Sequence, residues 1–466
     1  MKFFIETLGC QMNVLDSELA AAGLIEAGHE SVSDFETADI FLFNTCSIRQ
    51  HAEDKVYSAL GRLKPWKLRS SNRIIGILGC MAQKDKDLIF KRASHVDLVL
   101  GPGQLEQLPT IIGEIEQQRK SGEPIRSKAD LEKSRRLEVS LDRKIEKHEL
   151  VKESFRKFDP LRLPQVRRNS FQAMVRIMFG CDKFCTYCIV PSVRGPEQSR
   201  DPKEIIEEVR TLAEQGCLEI TLIGQTVNSY RYKNGETTTR LSDLLASVDA
   251  VSGIERVRFV TNYPTGMTDD LLFAVRDLPK VVPYFHVPVQ SGSDAVLKRM
   301  KRNYTAESYV ELLHRIRETS PDAAITSDFI VGFCGETEDE FQETKELVRT
   351  GMFKNSFIFK YSERPGTKAA ELYADDIPEE IKRRRNNELL EIQNENSLAL
   401  NREFIGKTVS VLVEGAGAIE RQLVGNTPCD RIVAFDGPES LIGRFVDIEI
   451  IEALPFTLLG IAKTAE

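Results

Sequence analysis

The stretch "MFGCDKFCTYCIVPSVRG", residues 178–195, places three cysteines, Cys181, Cys185 and Cys188, within eight positions. It overlaps the end of "FQAMVRIMFG" (171–180), an apolar run typical of a buried strand. Soft thiolates select zinc, Cu(I) or iron–sulfur clusters. A structural zinc ion would need a fourth Cys or His, and no such partner lies nearby in the sequence. A four-iron cluster fits better, because three thiolates can hold three of its irons and leave the fourth open to a ligand.

The sequence around this loop predicts six consecutive βα units. The predicted strands lie at residues 171–180, 219–225, 256–262, 282–289, 324–333 and 355–362. An amphipathic, helix-like stretch follows each of the later strands, and the cysteine loop and a helix follow the first. Such a series predicts a barrel-like or open parallel sheet with its functional loops at the carboxyl ends of the strands.

The first 110 residues show a second α/β pattern, with strands predicted at 2–8, 39–45 and 73–79 and a possible fourth at 96–101. Cys10, Cys46 and Cys80 each follow one of the first three strands closely. Because the carboxyl ends of parallel strands lie at one edge of a sheet, we expect these three thiols to converge. The alternative is that they are three unrelated buried cysteines, since free cysteine is often buried.

Changes in composition and the positions of turn-forming residues predict four segments. Residues 1–118 form the N-terminal α/β domain, 119–168 a charged linker or insertion, 169–400 the βα series, and 401–466 a small antiparallel β-barrel or sandwich with frequent turns. The second segment holds 16 Lys and Arg against 9 Asp and Glu. It is read first as a solvated linker that includes an amphipathic helix, and alternatively as a basic arm for a polyanion.

The whole chain of 466 residues has a net charge of −8, so no global basic field indicates a nucleic-acid partner. No apolar run approaches the ~18 residues of a membrane span, and the N-terminus does not resemble a signal peptide. We therefore expect a cytoplasmic protein without membrane attachment. In that reducing compartment, nine cysteines favour metal ligands, catalytic groups or buried fillers over disulfides.

The CxxxCxxC spacing after the first of six βα units resembles the radical S-adenosylmethionine superfamily. Further motifs resemble the MiaB-type tRNA methylthiotransferases of that superfamily over nearly the whole chain. These motifs are "GCQMN" (9–13), "NTCSIR" (44–49), "GCMAQ" (79–83), "GQTVNSY" (224–230), "HVPVQSGSDAVLKRMKRNYT" (286–305) and "SERPGTKAA" (362–370).

The resemblance implies two [4Fe-4S] clusters and S-adenosyl-L-methionine as cofactors. Cys181, Cys185 and Cys188 would hold the radical-generating cluster, and Cys10, Cys46 and Cys80 an auxiliary cluster. Three residues in motifs near the cofactor would contact S-adenosylmethionine: Tyr187, Gln225 and Gly332. It assigns no catalytic residue beyond the cluster ligands. It also implies a radical-SAM partial (β/α)6 barrel and a TRAM-like C-terminal barrel.

The implied activity is radical-mediated methylthiolation at C2 of N6-isopentenyladenosine beside the tRNA anticodon. The implied partners are tRNA and a reductant such as flavodoxin or ferredoxin, with the sulfur donor unidentified and the enzyme a monomer. Two related activities are the alternatives, acting on threonylcarbamoyladenosine in tRNA or on a ribosomal-protein aspartate. A zinc-stabilised RNA-binding module is the non-enzymatic alternative. For phosphate contacts the sequence offers Arg421, Arg431 and Arg444 in the barrel and a basic cluster at 298–302, which could equally be a solvated helix face.

Overall fold

The computed structural model describes residues 1–47, 50–70, 72–120, 135–139, 156 and 158–463, with the side chains of 50–52 and 54 excepted. The chain divides into two compact units, which are described separately below. The first unit comprises Met1–Arg168, Phe179–Lys183 and Cys188–Gln198. The second comprises Asn169–Met178, Phe184–Tyr187 and Ser199–Glu466. The cysteine loop therefore contributes residues to both units.

The first unit is built on a six-stranded sheet in the order β2-β1-β3-β4-β5-β6, and every pairing in it is parallel. The strands are β1 Lys2–Leu8, β2 Glu30–Ser31, β3 Ile40–Thr45, β4 Ile74–Gly79, β5 Leu98–Leu100 and β6 Arg136–Glu138. Its helices are α1 Gln11–Glu26, α2 Gln50–Leu68, α3 Cys80–Asp85, α4 Leu88–Arg92, α5 Leu108–Lys120 and α6 Val190–Val193. Strands β3 and β4 are buried along their whole length, as parallel strands covered on both faces require.

The four predicted N-terminal strands are present, and two short edge strands join them. Strand β6 lies inside the segment interpreted as a charged linker or insertion, and it pairs with β5 from Arg136 to Glu138. Three alternating residues gave no recognisable strand signal in that charged sequence. The amphipathic helix predicted over 133–158 is wrong at residues 136–138, which form β6, and most of its other residues lie outside the part of the chain that the structure describes.

In the second unit, six parallel strands form the predicted partial barrel. They are β7 Gln172–Arg176, β10 Glu219–Ile223, β13 Arg256–Phe259, β14 Tyr284–His286, β15 Ala324–Val331 and β16 Asn355–Lys360. They form two three-stranded sheets, β13-β10-β7 and β14-β15-β16, and a parallel bridge between Val257 and Val281 joins the sheets. The short strands β11 Arg231–Asn234 and β12 Thr237–Arg240 lie in an intervening loop of this unit, whereas β8 Met178–Phe179 and β9 Gln198–Ser199 each contain one residue from each unit.

Amphipathic helices cover one face of these strands. The helices are α7 Pro202–Glu214, α8 Leu241–Asp249, α9 Asp269–Asp277, α10 Asp294–Arg299, α11 Ala306–Thr319, α12 Glu338–Gly351, α13 Lys368–Leu372 and α14 Glu379–Arg402. Alternate strand residues such as Val175, Leu222 and Phe329 join helix residues in one continuous core. The other set of alternate residues therefore faces the concave side of the partial barrel.

The C-terminal part of the second unit is a closed five-stranded barrel in the order β17-β18-β19-β21-β20. Its strands are β17 Thr408–Ala416, β18 Gln422–Asn426, β19 Ile432–Asp436, β20 Phe445–Ala453 and β21 Thr457–Ala462. The prediction of a small antiparallel barrel is confirmed except for one pairing, because β19 and β21 run parallel to close the barrel.

This barrel is held to the six-stranded part of the unit by two buried arginines. Arg256 donates to the carbonyl of Asn426 at 2.9 Å, and Arg258 donates to that of Thr427 at 2.8 Å. Both guanidinium groups also reach the Glu219 carboxylate, at 3.4 and 3.0 Å. The charges are thus paired at a junction between two elements of the same unit.

Candidate functional site

Cys10, Cys46 and Cys80 lie at one edge of the N-terminal sheet. The three neighbouring strands β1, β3 and β4 are in register at their ends, where Leu8 faces Thr45 and Thr45 faces Gly79. Cys46 and Cys80 follow directly on such an end and Cys10 follows one residue later, after Gly9, and Cys80 opens helix α3. The thiols of Cys10 and Cys46 share a hydrogen bond. The fold therefore brings together three thiols that are far apart in sequence.

A buried amide network fixes the backbone behind these thiols. Asn13 donates its side-chain amide to the Asn44 oxygen at 2.9 Å, and Asn44 donates back to the Asn13 carbonyl at 2.9 Å. The Cys10 thiol donates to the Asn13 oxygen at 3.3 Å. A Cβ at Gly79, whose φ is +88°, would lie 2.4 Å from the Asn44 oxygen. This position therefore requires glycine, both for its backbone conformation and for the close approach of Asn44.

Arg194 supplies a positive charge to this group of thiols. Its Nε lies 3.2 Å from the Cys80 sulfur, and its Nη2 lies 2.8 Å from the Asp16 carboxylate. The Arg194 side chain is 4% exposed and that of Asp16 is fully buried. Although burial opposes its charged form, the neighbouring Asp16 and cysteines raise the pKa of Arg194. A permanent cation therefore lies beside the thiols.

The thiols differ in how readily they ionise. The hydrogen bond with Cys46, supported by the Arg194 charge and backbone N–H groups, lowers the pKa of Cys10 to about 6. Burial raises the pKa of Cys80, although Arg194 opposes that shift. Thiolates are the form that binds metals, so a lowered pKa and a neighbouring cation both favour the ligand state.

The donor set suits a cluster better than a single ion. Among the described residues, no group of three or more Cys, His, Asp or Glu side chains is arranged to hold one metal ion. Three thiolates are the donor set of a four-iron cluster with one open iron, so the three converging thiols fit such a cluster. A buried nitrogen of Arg194, Nη1, has no hydrogen-bond partner among the described residues and offers a donor to an anionic group at this place.

The second cysteine group, in the loop 181–188, contributes to both units. In the first unit, the buried Cys181 donates its N–H to the Gly195 carbonyl at 3.1 Å. Gly180 has a φ of +75°, and a Cβ there would lie 1.8 Å from the Pro196 carbonyl oxygen. Cys188 also belongs to the first unit, whereas Cys185 belongs to the second. The backbone at Gly180 therefore passes too close to the backbone at Pro196 for any residue other than glycine.

In the second unit, Cys185 lies beside a buried arginine. Arg302 Nη1 approaches the Cys185 sulfur at 3.5 Å, and Nη2 donates to the Pro288 carbonyl at 2.5 Å. The guanidinium packs against the rings of Tyr263 and Tyr304. The next residue, Thr186, is held by a 3.0 Å bond from its N–H to the Met300 carbonyl. The Cys185 segment thus has a fixed, positively charged surrounding within its unit.

The three residues expected near S-adenosylmethionine all lie in the second unit. Tyr187 packs against the apolar cluster that contains Phe333 and Tyr361. The side-chain oxygen of Gln225 is buried and accepts no hydrogen bond from the described residues. Gly332, at φ +69°, donates its N–H to the Glu336 carboxylate at 2.6 Å. Their assignment to the cofactor stays a prediction.

The prediction that the basic residues of 298–302 share a single surface is wrong. Arg302 is buried beside Cys185, and Arg299 makes a two-pronged ion pair with Glu340 at 2.9 and 2.7 Å. Lys298 and Lys301 remain exposed. The regular spacing of charges in the sequence gave no sign that Arg302 turns inward. Sequence reasoning also missed Arg194, whose only signal was its position just after the cysteine loop.

Three regions of the chain match known families. Residues 175–348 match the Radical SAM superfamily, 2–101 the Uncharacterized protein family UPF0004 and 402–463 the TRAM domain.

Curated relatives extend over almost the whole chain. The tRNA-2-methylthio-N(6)-dimethylallyladenosine synthase of Rhodopirellula baltica is 52% identical, with 99% of this chain and 96% of the relative covered. Proteins of the same name from Acidovorax sp. and Oceanobacillus iheyensis are 42% and 41% identical. The first covers 98% of this chain and 97% of the relative, and the second 99% and 84%.

Solved structures share the fold at low identity. The radical S-adenosylmethionine methyltransferase TsrM from Kitasatospora setae, with cobalamin and a [4Fe-4S] cluster bound, has a TM-score of 0.52 at 12% identity, covering 79% of this chain and 77% of its own. The cobalamin-dependent S-adenosylmethionine radical enzyme OxsB has a TM-score of 0.51 at 11% identity, covering 84% and 56%. None of the described helices is long and apolar enough to span a membrane.

Proposed function

The chain belongs to the family of the tRNA-2-methylthio-N(6)-dimethylallyladenosine synthases, and from that premise we propose that it methylthiolates C2 of N6-dimethylallyladenosine in tRNA. The observation that carries the proposal is the convergence of Cys10, Cys46 and Cys80, which gives the chain a second thiol site besides the radical-SAM loop. A methylthiolation needs both a radical at an unactivated carbon and a source of sulfur, and one thiol site for each meets that need.

Cys10, Cys46 and Cys80 would hold an auxiliary [4Fe-4S] cluster, and Cys181, Cys185 and Cys188 the radical-generating one. Bound there, the clusters would supply the electron that cleaves S-adenosylmethionine and an open iron for the incoming sulfur. The thiols of the first group fit, because they converge, one has a lowered pKa, and Arg194 offers a compensating charge. Tyr187, Gln225 and Gly332 would contact S-adenosylmethionine.

The tRNA contacts would come from local basic surface. In the TRAM barrel, Arg421 and Arg444 are exposed. Arg431, also predicted as a phosphate contact, is buried: it donates to the Asn401 side chain at 3.0 Å and packs over the Phe404 ring. Of these three arginines, only Arg421 and Arg444 can therefore neutralise phosphates, and phosphate contacts supply a large share of the affinity of proteins for nucleic acids.

Further parts of the proposal concern the cellular setting. The enzyme would act as a cytoplasmic monomer with a flavodoxin- or ferredoxin-type reductant, and its sulfur donor is unidentified.

The proposed domain boundaries are 1–118 for the auxiliary-cluster domain, 119–168 for a charged linker or insertion that includes β6, 169–400 for the radical-SAM domain and 401–466 for the TRAM domain.

Nucleoside analysis of cellular tRNA tests the proposal. A bacterial strain lacking its own methylthiotransferase should regain 2-methylthio-N6-dimethylallyladenosine when it expresses this chain. Cys80→Ala should restore none of it, while Cys217→Ala, which removes a cysteine buried in the core of the second unit, should restore it if the protein folds. Recovery of 2-methylthio-threonylcarbamoyladenosine, or of a methylthiolated ribosomal protein, would contradict the proposed substrate.

A further inference from the structure

Two phenylalanines on strand β16, the exposed Phe357 and the half-buried Phe359, form an aromatic pair. The rings of Phe357 and Phe359 are nearly parallel, at an interplanar angle of 13° with centroids 6.4 Å apart. Phe357 is 50% exposed, an unusual exposure for an aromatic side chain in the middle of a strand. We call these two residues the aromatic pair. Large exposed apolar side chains that stand together commonly mark binding sites.

The aromatic pair faces the concave side of the partial barrel. Strands β15 and β16 are parallel and in register, so Phe357 stands beside Asp328 on the same face. The neighbours of Asp328 along the strand point the other way: Phe329 and Val331 lie in the core shared with the helices. Since successive strand residues alternate between faces, the aromatic pair and Asp328 face away from the helices.

A polar group borders the aromatic pair on this face. The His286 ring stands edge-on to Phe357, with centroids 6.4 Å apart. Its Nδ1 shares a 3.0 Å hydrogen bond with the Thr326 hydroxyl, and its Nε2 lies 3.7 Å from the Asp328 carboxylate. Asp328 is 24% exposed, so its carboxylate can be reached from the concave side. The face therefore offers an apolar surface next to a hydrogen-bond acceptor that carries negative charge.

We propose that the aromatic pair receives the dimethylallyl group of the substrate adenosine and that Asp328 accepts the adjacent N6–H. This inference rests on the proposed function and names the residues that select its substrate. The complementarity is chemical: the dimethylallyl group is a small branched hydrocarbon, and the nitrogen that carries it has a single N–H. The apolar surface on β16 lies next to the acceptor on β15, just as the dimethylallyl group lies next to the N6–H that it adjoins.

The same arrangement disfavours the two alternative substrates. A threonylcarbamoyl group and a protein aspartate both carry a carboxylate, which Asp328 would repel and the aromatic pair would leave without a partner. His286, which lies on this face, is already bonded to Thr326 and lies 3.7 Å from the Asp328 carboxylate. The charged residues at the far end of the concave side, Arg256 and Arg258, are paired with Glu219. The site thus selects an uncharged substrate.

Binding measurements with synthetic RNA test the aromatic pair. Fluorescein-labelled anticodon stem-loops, with either N6-dimethylallyladenosine or adenosine at the target position, are titrated against the anaerobic cluster-containing protein without S-adenosylmethionine or reductant. The wild-type protein should prefer the dimethylallyl loop. Phe357→Ala should reduce that preference by about tenfold, the scale set by losing contact with a small hydrocarbon group. Phe357→Leu, which keeps an apolar side chain, should retain most of it.

A matched control uses another phenylalanine of similar exposure. Phe273, on the outer helix α9, is 46% exposed, and Phe273→Ala should leave both affinities unchanged. If the wild-type protein shows no preference, or if Phe357→Ala keeps the wild-type preference or weakens both loops equally, the aromatic pair does not receive the dimethylallyl group.

A charge variant tests Asp328. Asp328→Asn keeps an acceptor and removes the charge, so affinity for the dimethylallyl loop should change less than about twofold, while that for a threonylcarbamoyladenosine loop should rise about fivefold. An unchanged affinity for the second loop would overturn the role of Asp328.

Failure of the proposed function is visible separately. It appears as absence of the methylthiolated nucleoside from tRNA of cells that express the wild-type chain. Failure of this inference appears in the loop affinities of Phe357→Ala and Asp328→Asn, whether or not the wild-type chain makes product.

Discussion

Replacement of Arg194 by methionine should strongly destabilise the first unit even without any cluster. The guanidinium lies 2.8 Å from the Asp16 carboxylate, and the two side chains are 4% and 0% exposed. Removing one partner of such a buried pair leaves the other charge without compensation, which costs about 3–5 kcal/mol of unfolding free energy. The loss should reverse when the second charge is removed as well. Arg194→Met/Asp16→Leu should therefore recover to within about 2 kcal/mol of the wild type.

Urea unfolding of the cluster-free protein measures this effect. The chain has one tryptophan, Trp66, buried in the first unit, so its fluorescence reports the unfolding of that unit. The control is Arg69→Met, which breaks an ion pair with Glu36 whose partners are 60% and 45% exposed. It should cost less than about 1 kcal/mol, because exposed ion pairs contribute little. Equal costs for Arg194→Met and Arg69→Met, or a double variant no more stable than Arg194→Met, would refute the reasoning.

Three further predictions concern the thiol sites and the RNA surface. Alanine at Cys10, Cys46 and Cys80, or at Cys181, Cys185 and Cys188, should halve the roughly eight irons of the anaerobically reconstituted chain, and full iron in either triple variant would contradict the ligand assignment. Reductive cleavage of S-adenosylmethionine, measured as release of 5′-deoxyadenosine, should survive alanine at Cys10, Cys46 and Cys80 but not Cys185→Ala. Formation of the methylthiolated product should require both groups of cysteines. A normal yield of product from the triple variant of Cys10, Cys46 and Cys80 would contradict a role of that group in sulfur delivery. Arg421→Ala/Arg444→Ala should lower the slope of log affinity for tRNA against log salt by about 1.5, while Arg431→Ala should leave that slope unchanged, and the opposite pattern would show that the wrong arginines were assigned to phosphate.

Periodicity in the sequence predicted the buried parallel strands of both α/β parts of the chain. Buried parallel strands appear as continuous apolar runs, and β3 and β4 are two such runs with every residue buried. The strand-end positions of Cys10, Cys46 and Cys80 predicted their convergence for the same reason, since parallel strands end at one edge. Strand β6 escaped prediction, because three alternating residues are too short a signal within a charged segment and the strand depends on pairing with β5.

The electrostatic surroundings of the thiols could not be predicted. Arg302 occurs among other charged or polar residues and Arg194 does not, but an arginine that turns inward has no local signature in a single sequence. Their burial depends on partners distant along the chain, Asp16 and Cys80 for Arg194, and Pro288 and Cys185 for Arg302. Arg431 was misassigned to phosphate for the converse reason, since the residues that cover it, Asn401 and Phe404, precede the barrel strands.

The arginine contacts at the junction of the TRAM barrel bear on domain exchange between relatives. Arg256 and Arg258 donate to main-chain carbonyls of Asn426 and Thr427, so recognition at this junction depends on the course of the backbone. A barrel transplanted from another family member should keep these main-chain contacts, provided that the turn after β18 keeps its length and shape and retains Asp430, whose carboxylate pairs with Arg258 at 3.4 Å. An insertion in that turn, by contrast, would leave two buried guanidinium groups with Glu219 as their shared counterion. Chimeric enzymes built to alter RNA preference should therefore vary the barrel surface and keep this turn intact.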